Sequence, residues 1–150
     1  MFHQSIAEIV GKRCVRICHP DQTVREACYQ LCDAVEGAVA VVADDKLVGI
    51  LGEHDVIQRA ICANRPTRET RVGDIMTPNP RTVSIEASLA EAMKVMGDAG
   101  VRHLPVMQGD NLFGILSMRD IPTQYRLLVE RFREFKGKTT DGSDTMTLLM

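Results

Sequence analysis

The sequence predicts a mixed α/β (α+β) fold of two β-α-β-β-α repeats, packed through their sheets with pseudo-two-fold symmetry. Three observations predict it. Sliding the chain by 65 positions lays residues 21–57 on residues 86–122 without a gap and gives 11 identities in 37 pairs. Glu26/Glu91, Val41/Val106, Gly49/Gly114, Ile50/Ile115, Leu51/Leu116 and Asp55/Asp120 are among them. Upstream, Ile6-Ala-Glu-Ile-Val10 matches Val72-Gly-Asp-Ile-Met76 at an offset of 66, so one residue was gained or lost between the blocks. Third, a single unit of about 60 residues with one three-stranded sheet closes a core poorly, whereas two packed sheet to sheet can do so.

Each copy follows the same order. A short entry strand precedes Thr23-Val-Arg-Glu26 in one copy and Ser88-Leu-Ala-Glu91 in the other. Both are capping boxes: the hydroxyl accepts from the third backbone N–H and the Glu returns to the cap's own N–H. Helices of about 12 residues follow. Val24, Ala27, Cys28, Leu31 and Ala34 form one apolar stripe, and Leu89, Ala92, Met93, Met96 and Ala99 repeat it. Apolar strands come next at residues 38–42 and 102–107, then the polar turns 44–46 and 108–111, then strands at 47–51 and 112–116. Pro105 suggests an edge strand or a strand start. A further helix is expected near Glu53 and near Ser117, with Pro122 able to delay the second one. The expected organisation is a first repeat at 5–63, a polar, Pro-containing linker at 64–71, a second repeat at 72–122, a C-terminal helix at 123–136 and a mobile tail at 137–150.

Composition narrows the function. The 150 residues carry 18 Lys+Arg against 20 Asp+Glu, a net charge of −2, so no basic excess is present to neutralise a nucleic-acid polymer. With 45% hydrophobic and 25% charged residues the chain reads as globular rather than disordered. The six aromatics are too few for a base-stacking platform, and three of them lie at Tyr125, Phe132 and Phe135. No apolar run has the roughly 18 residues that span a bilayer, so no membrane insertion is expected. The N-terminus lacks the pattern of a signal peptide. Five cysteines without an export signal read as reduced thiols in the cytoplasm.

The blocks Val72-Gly-Asp-Ile-Met-Thr-Pro78, Arg102-His-Leu-Pro-Val106 and Gly114-Ile-Leu-Ser-Met-Arg-Asp120 resemble the cystathionine-β-synthase (CBS) domain. Two in tandem resemble a CBS pair, or Bateman module, of the stand-alone type. The likeness spans roughly residues 5–135 and is closer in the second copy. The resemblance implies a regulatory module that binds an adenosine-containing small molecule between the repeats: AMP, ADP or ATP first, with NAD and S-adenosylmethionine as further candidates. It also implies a homodimer and a regulated partner protein.

By that resemblance Asp120 accepts from the ribose hydroxyls and Ser117 lies near ribose and phosphate. A carboxylate suits a diol because it is acceptor-only and takes two O–H donors. Both residues open a helix whose amides favour an anion. The same pair also reads as a plain capping box. The first copy keeps Asp55 but has Gly52 in place of the hydroxyl, so two unequal sites are expected, the better one at Ser117 and Asp120. Cys18, His19, Pro20, Arg102, His103, Ile115, Ser117 and Asp120 are grouped in one cleft, with Arg102 and His103 as phosphate candidates. Thr82, Val83, Val101, Asp55 and Ile50 are grouped in the other. Arg102 also reads as surface charge, and His103 as a hydrogen-bonded, half-buried histidine.

Other chemistries fit less well. Cys14, Cys18 and His19 are potential metal ligands, but their spacing is not that of a zinc ribbon and strand alternation parts them. No nucleophile motif, P-loop or dinucleotide fingerprint occurs, so no enzyme is expected. The main rival is a ligand-free scaffold that forms a homodimer. Tyr125, Leu128, Phe132 and Phe135 make one stripe on the terminal helix that fits such a seam.

Overall fold

A computed structural model describes residues 4–139. The chain divides into two compact units, Met1–Asp120 and Ile121–Met150. The first begins with α1 (Ile6–Val10), β1 (Ile17–Cys18), α2 (Val24–Asp33), β2 (Ala38–Ala43), β3 (Lys46–Gly52) and α3 (Glu53–Val56), which runs on as a π turn (Ile57–Ile61). It continues through α4 (Val72–Ile75), β4 (Thr77–Pro78), β5 (Val83–Ser84), α5 (Leu89–Ala99), β6 (His103–Gln108), β7 (Asn111–Ser117) and a 3-10 turn (Met118–Asp120). The second contains α6 (Thr123–Thr139).

Local chemistry sets the helix starts. Thr23 and Ser88 each accept from the backbone N–H three residues on, and Glu26 and Glu91 accept from the N–H of the cap. Ser5 and Glu8 form a third capping box on α1. At Gly100 α5 closes with a left-handed residue, φ +67°.

The sheets run β1-β2-β3-β4 and β5-β6-β7, parallel in the first pair of each and antiparallel thereafter. The first sheet therefore has four strands rather than the expected three, because Thr77 and Pro78 pair with Ile50 and Gly49. Pro105 also departs from expectation, since it lies in the central strand of its sheet, opposite Ile115. The equivalent Ala40 donates its N–H to Arg16 O at 3.0 Å. Proline has no such donor. Pairing with the entry strand accordingly starts at Ala40 in the first sheet but only at Val106 in the second.

Two cores result. On the helix side of the first sheet, Cys18, Val24, Ala27, Leu31, Val39, Val41 and Leu51 pack with Val72 and Ile75 of α4. Between the sheets, Ala38, Ala40, Ile50 and Ile115 pack with Val15, Val42, Leu47 and Leu112. The repeats also exchange their leading helices. Helix α1, which opens the first repeat, packs on β7 of the second, while α4 packs on β3 of the first. The two identical glycines mark the crossings: a Cβ on Gly114 would overlap Val10, and one on Gly49 would overlap Met76.

The segment between repeats is held in place. Thr67 O and Thr70 O accept from Arg25 N and Val24 N at 2.9 Å, and Thr70 is buried. After Ser117 the expected helix is replaced by the 3-10 turn, and α6 starts only at Thr123. Pro122 accounts for this, since a residue before proline is steered out of the helical region. Asp120 therefore does not open an α-helix. Helix α6 extends past the expected end at 136 to Thr139, and residues 140–150, expected as a tail, lie outside the described residues.

Candidate functional site

The inter-sheet face ends in two equivalent residue pairs. In the first sheet Ala38 stands beside Gly52, and in the second His103 stands beside Ser117. The second repeat thus carries an imidazole and a hydroxyl where the first carries two small residues. His103 reaches across to the first repeat, with Nε2 lying 2.6 Å from Glu36 O. A carbonyl only accepts, so Nε2 carries the proton and donates it. Gly37 follows in the left-handed region at φ +77°, where glycine is tolerated without strain. A Cβ at this position would lie 3.7 Å from Glu53 Oε1 and 3.8 Å from His103 Nε2.

Asp120 is the centre of a second cross-repeat contact. Its Oδ2 accepts from Ser117 N at 2.8 Å and from Arg13 Nη1 at 2.9 Å. Arg13 Nη2 donates to Oδ1 and completes a two-pronged ion pair. Arg13 Nη1 also lies 3.6 Å from Glu36 Oε1, on a carboxylate that is almost wholly buried. The hydrogen bond to Asp120 is the chief reason that the Arg13 guanidinium is held above its ordinary pKa, against the opposing effect of burial. Ser117 Oγ accepts from Arg119 N at 3.1 Å. Arg13, Glu36, Gly37, His103, Ser117 and Asp120 therefore form one polar cluster built from both repeats.

Asp55, the counterpart of Asp120, is held more lightly. Its Oδ2 accepts from Gly52 N at 2.9 Å, and Thr77 Oγ1 donates to Oδ1 at 3.4 Å. Arg59 Nη1 stands 3.8 Å from Oδ1 and gives its hydrogen bonds to the carbonyls of Ile75 and Met76. In both repeats the carboxylate caps the turn after the last strand. In each, the oxygen that does not take the backbone N–H is held by a side chain, Arg13 at Asp120 and Thr77 at Asp55.

Several expected site residues lie apart from this cluster. Cys18 pairs with Val41 and sits in the helix-side core, where burial pushes its thiol up to about 11. Strand alternation accounts for the correction, because Ala40 and not Val41 faces the other sheet. The His19 ring is bound through Nδ1 to Val42 O at 2.8 Å, toward the hairpin end of β2 and away from Ala38. Pro20 O accepts from Gly73 N at 2.9 Å, so Pro20 sits on the start of α4. Ile115 and Ile50 belong to the apolar layer between the sheets. Arg102 is exposed on its side chain and takes Met118 N on its carbonyl at 2.9 Å.

In the other proposed group, Val101 N closes α5 on Met96 O at 3.0 Å. Thr82 and Val83 line a cavity of about 780 Å³ with Lys46, Leu47, Asn79 and Asp110, and Asp55 is not in its wall. Arg13 and Glu36 are the residues that sequence reasoning missed. The family-like blocks lie between residues 72 and 120 and contain neither, and neither belongs to an apolar period. Among the described residues no group of three or more His, Cys, Asp or Glu is arranged to hold a metal ion, so Cys14, Cys18 and His19 do not converge.

The CBS domain family matches residues 6–61 and 72–122. The CBS domain-containing protein CBSX3, mitochondrial, of Arabidopsis thaliana is 34% identical over 122 residues, covering 78% of this chain and 58% of that protein. The chain spans only 16% of the length of two further Arabidopsis relatives. Among solved structures, the CBS-domain containing protein ATU1752 from Agrobacterium tumefaciens superposes with a TM-score of 0.69 at 26% identity, over 87% of this chain and 99% of that one. The CBS domain protein PAE2072 from Pyrobaculum aerophilum, solved in complex with AMP, shares the fold with a TM-score of 0.73 at 24% identity, over 85% and 97%. No helix among the described residues is long and apolar enough to cross a membrane. With both halves of the duplication matched, the chain belongs to the CBS-domain family and carries a tandem CBS pair.

Proposed function

We propose that the chain is an adenine-nucleotide-binding regulatory module and not an enzyme, with AMP, ADP or ATP as its ligand and NAD or S-adenosylmethionine as weaker candidates. The observation that carries this reading is the polar cluster where the two repeats meet. Asp120 and Ser117 from the second repeat face Arg13, Glu36 and Gly37 from the first. A carboxylate that accepts from a ribose diol, beside a guanidinium that pairs with phosphate, is the chemistry a nucleotide needs. The AMP complex of PAE2072, which shares the fold, supports the same ligand class. The Ser117 and Asp120 site is the stronger of two, because the equivalent positions in the first repeat are Gly52 and the more sparsely surrounded Asp55.

A ligand held by groups from both repeats stiffens one sheet against the other and changes a surface read by a partner protein or a second copy. The apolar side of α6, with Leu128, Phe132 and Phe135 exposed, is the seam for a homodimer in this reading. The free cysteines suit a reducing cytoplasm.

One observation favours the scaffold reading instead: the Asp120 carboxylate is already paired with Arg13. A thermal-shift panel of AMP, ADP, ATP, NAD and S-adenosylmethionine separates the two. A ligand at 100 times its Kd stabilises the folded state by about 2.7 kcal/mol, and AMP, ADP or ATP should raise Tm accordingly. No shift with any of the five at millimolar concentration would leave the scaffold.

A further inference from the structure

We propose that Arg13 is an internal competitor for Asp120, and that it makes the site select ligands carrying a phosphate next to the ribose over neutral adenosine. The inference rests on the nucleotide reading above and adds to it a specificity residue. Asp120 offers two oxygens. One takes Ser117 N and Arg13 Nη1, and the other takes Arg13 Nη2. A ribose diol that binds this carboxylate must therefore displace at least one prong of the guanidinium.

Displacement leaves a cation in a part-buried place, beside a Glu36 carboxylate that is almost fully buried. Glu36 Oε1, at 3.6 Å, is too far to replace a charge-assisted hydrogen bond as it stands. The guanidinium needs an anion in exchange, and planar, two-pronged pairing with phosphate is what arginine does best. Arg13 has room to make the change. It lies between α1 and β1 outside regular structure, and its side chain keeps 22% of its surface exposed. Adenosine supplies the diol but no anion, and S-adenosylmethionine brings a positive sulfonium. S-adenosylmethionine holds its carboxylate further out, whereas a nucleotide supplies the diol with an anion directly beside the ribose. Because the guanidinium competes for the ribose site, the apparent affinity of a ligand without phosphate falls by the fraction of time Asp120 is covered.

The test is calorimetric titration of AMP and of adenosine into the wild-type chain, Arg13→Gln and Arg13→Lys, with circular dichroism to confirm folding. The wild type should prefer AMP to adenosine by at least about tenfold, which is roughly the yield of one exchanged charge-assisted contact. Arg13→Gln should bring that ratio to within about threefold, by strengthening adenosine and weakening AMP. Arg13→Lys keeps the charge but loses the second prong, so its ratio should lie between the two. This variant serves alone if Arg13→Gln does not fold. An equal loss for both ligands in Arg13→Gln, an unchanged ratio in Arg13→Lys, or adenosine binding the wild type as tightly as AMP would overturn the competitor role while leaving the nucleotide reading standing. If no chain binds either ligand, this inference falls, and the five-ligand thermal-shift panel decides separately whether the nucleotide reading stands.

Discussion

Asp55 and Asp120 are the same residue type at equivalent places, and their neighbours set them apart. Asp120 is gripped by Arg13, whereas Asp55 keeps only a threonine hydroxyl and a distant Arg59 beyond its cap. Their equivalence was legible from the repeat alone, and the role given to them came from the family resemblance. Arg13 was not, because a long side chain in an irregular segment leaves no periodic trace and reaches its partner across 107 positions of sequence. Cys18 was misplaced for a different reason: on a strand of two residues, one step of parity decides between cleft and core. Its burial has a measurable result. The thiol titrates at about 11 in the folded chain, against an ordinary 9.0. Between those values the folded state holds a proton that the unfolded state has lost, so stability falls as pH rises from about 9 to about 11. Denaturant midpoints across that range should decline, with a shallower slope in Cys18→Ala. Iodoacetamide at pH 8 should modify the exposed Cys14, Cys32 and Cys62 well before Cys18, as read by peptide mass spectrometry. Cys18 reacting as fast as Cys62 would contradict its place in the core.

At the scale of elements, the strands and the two capped helices follow closely from hydroxyl–Glu spacing and apolar periodicity, since those signals are local. What escaped the sequence depends on partners remote in the chain. The fourth strand exists only because α4 delivers Thr77 to Ile50. The central place of Pro105 is tolerated because the entry strand begins one residue later there. The exchange of α1 and α4 is the largest such feature, and two glycines report it. Gly114→Ala should cost about 1–3 kcal/mol by forcing Val10 off β7. Gly109→Ala meets open space and should cost only about 1 kcal/mol through its positive φ. Urea unfolding of both variants checks this, and a neutral Gly114→Ala would mean that α1 does not sit on β7.

For the whole molecule, the duplication read from the sequence becomes an interlocked unit rather than two beads on a string. Residues 1–63 lack the α4 that closes their helix-side core, and residues 64–150 lack the α1 that covers β7. Each fragment alone should show no cooperative melting by circular dichroism, and mixing them should restore it. Independent folding of either would contradict the exchange. Interlocking also bears on the proposed regulation, because the candidate site draws Arg13 and Glu36 from one repeat and Ser117 and Asp120 from the other. The most direct test of that site is calorimetric titration of AMP into the wild-type chain, Asp120→Ala and Asp55→Ala. The wild type should bind, Asp120→Ala should lose at least about tenfold in affinity, the equivalent of about 1.4 kcal/mol, and Asp55→Ala should lose clearly less. Absence of binding by the wild type to AMP and, in the same titration, to ADP and ATP, or equal losses in the two variants, would contradict the account.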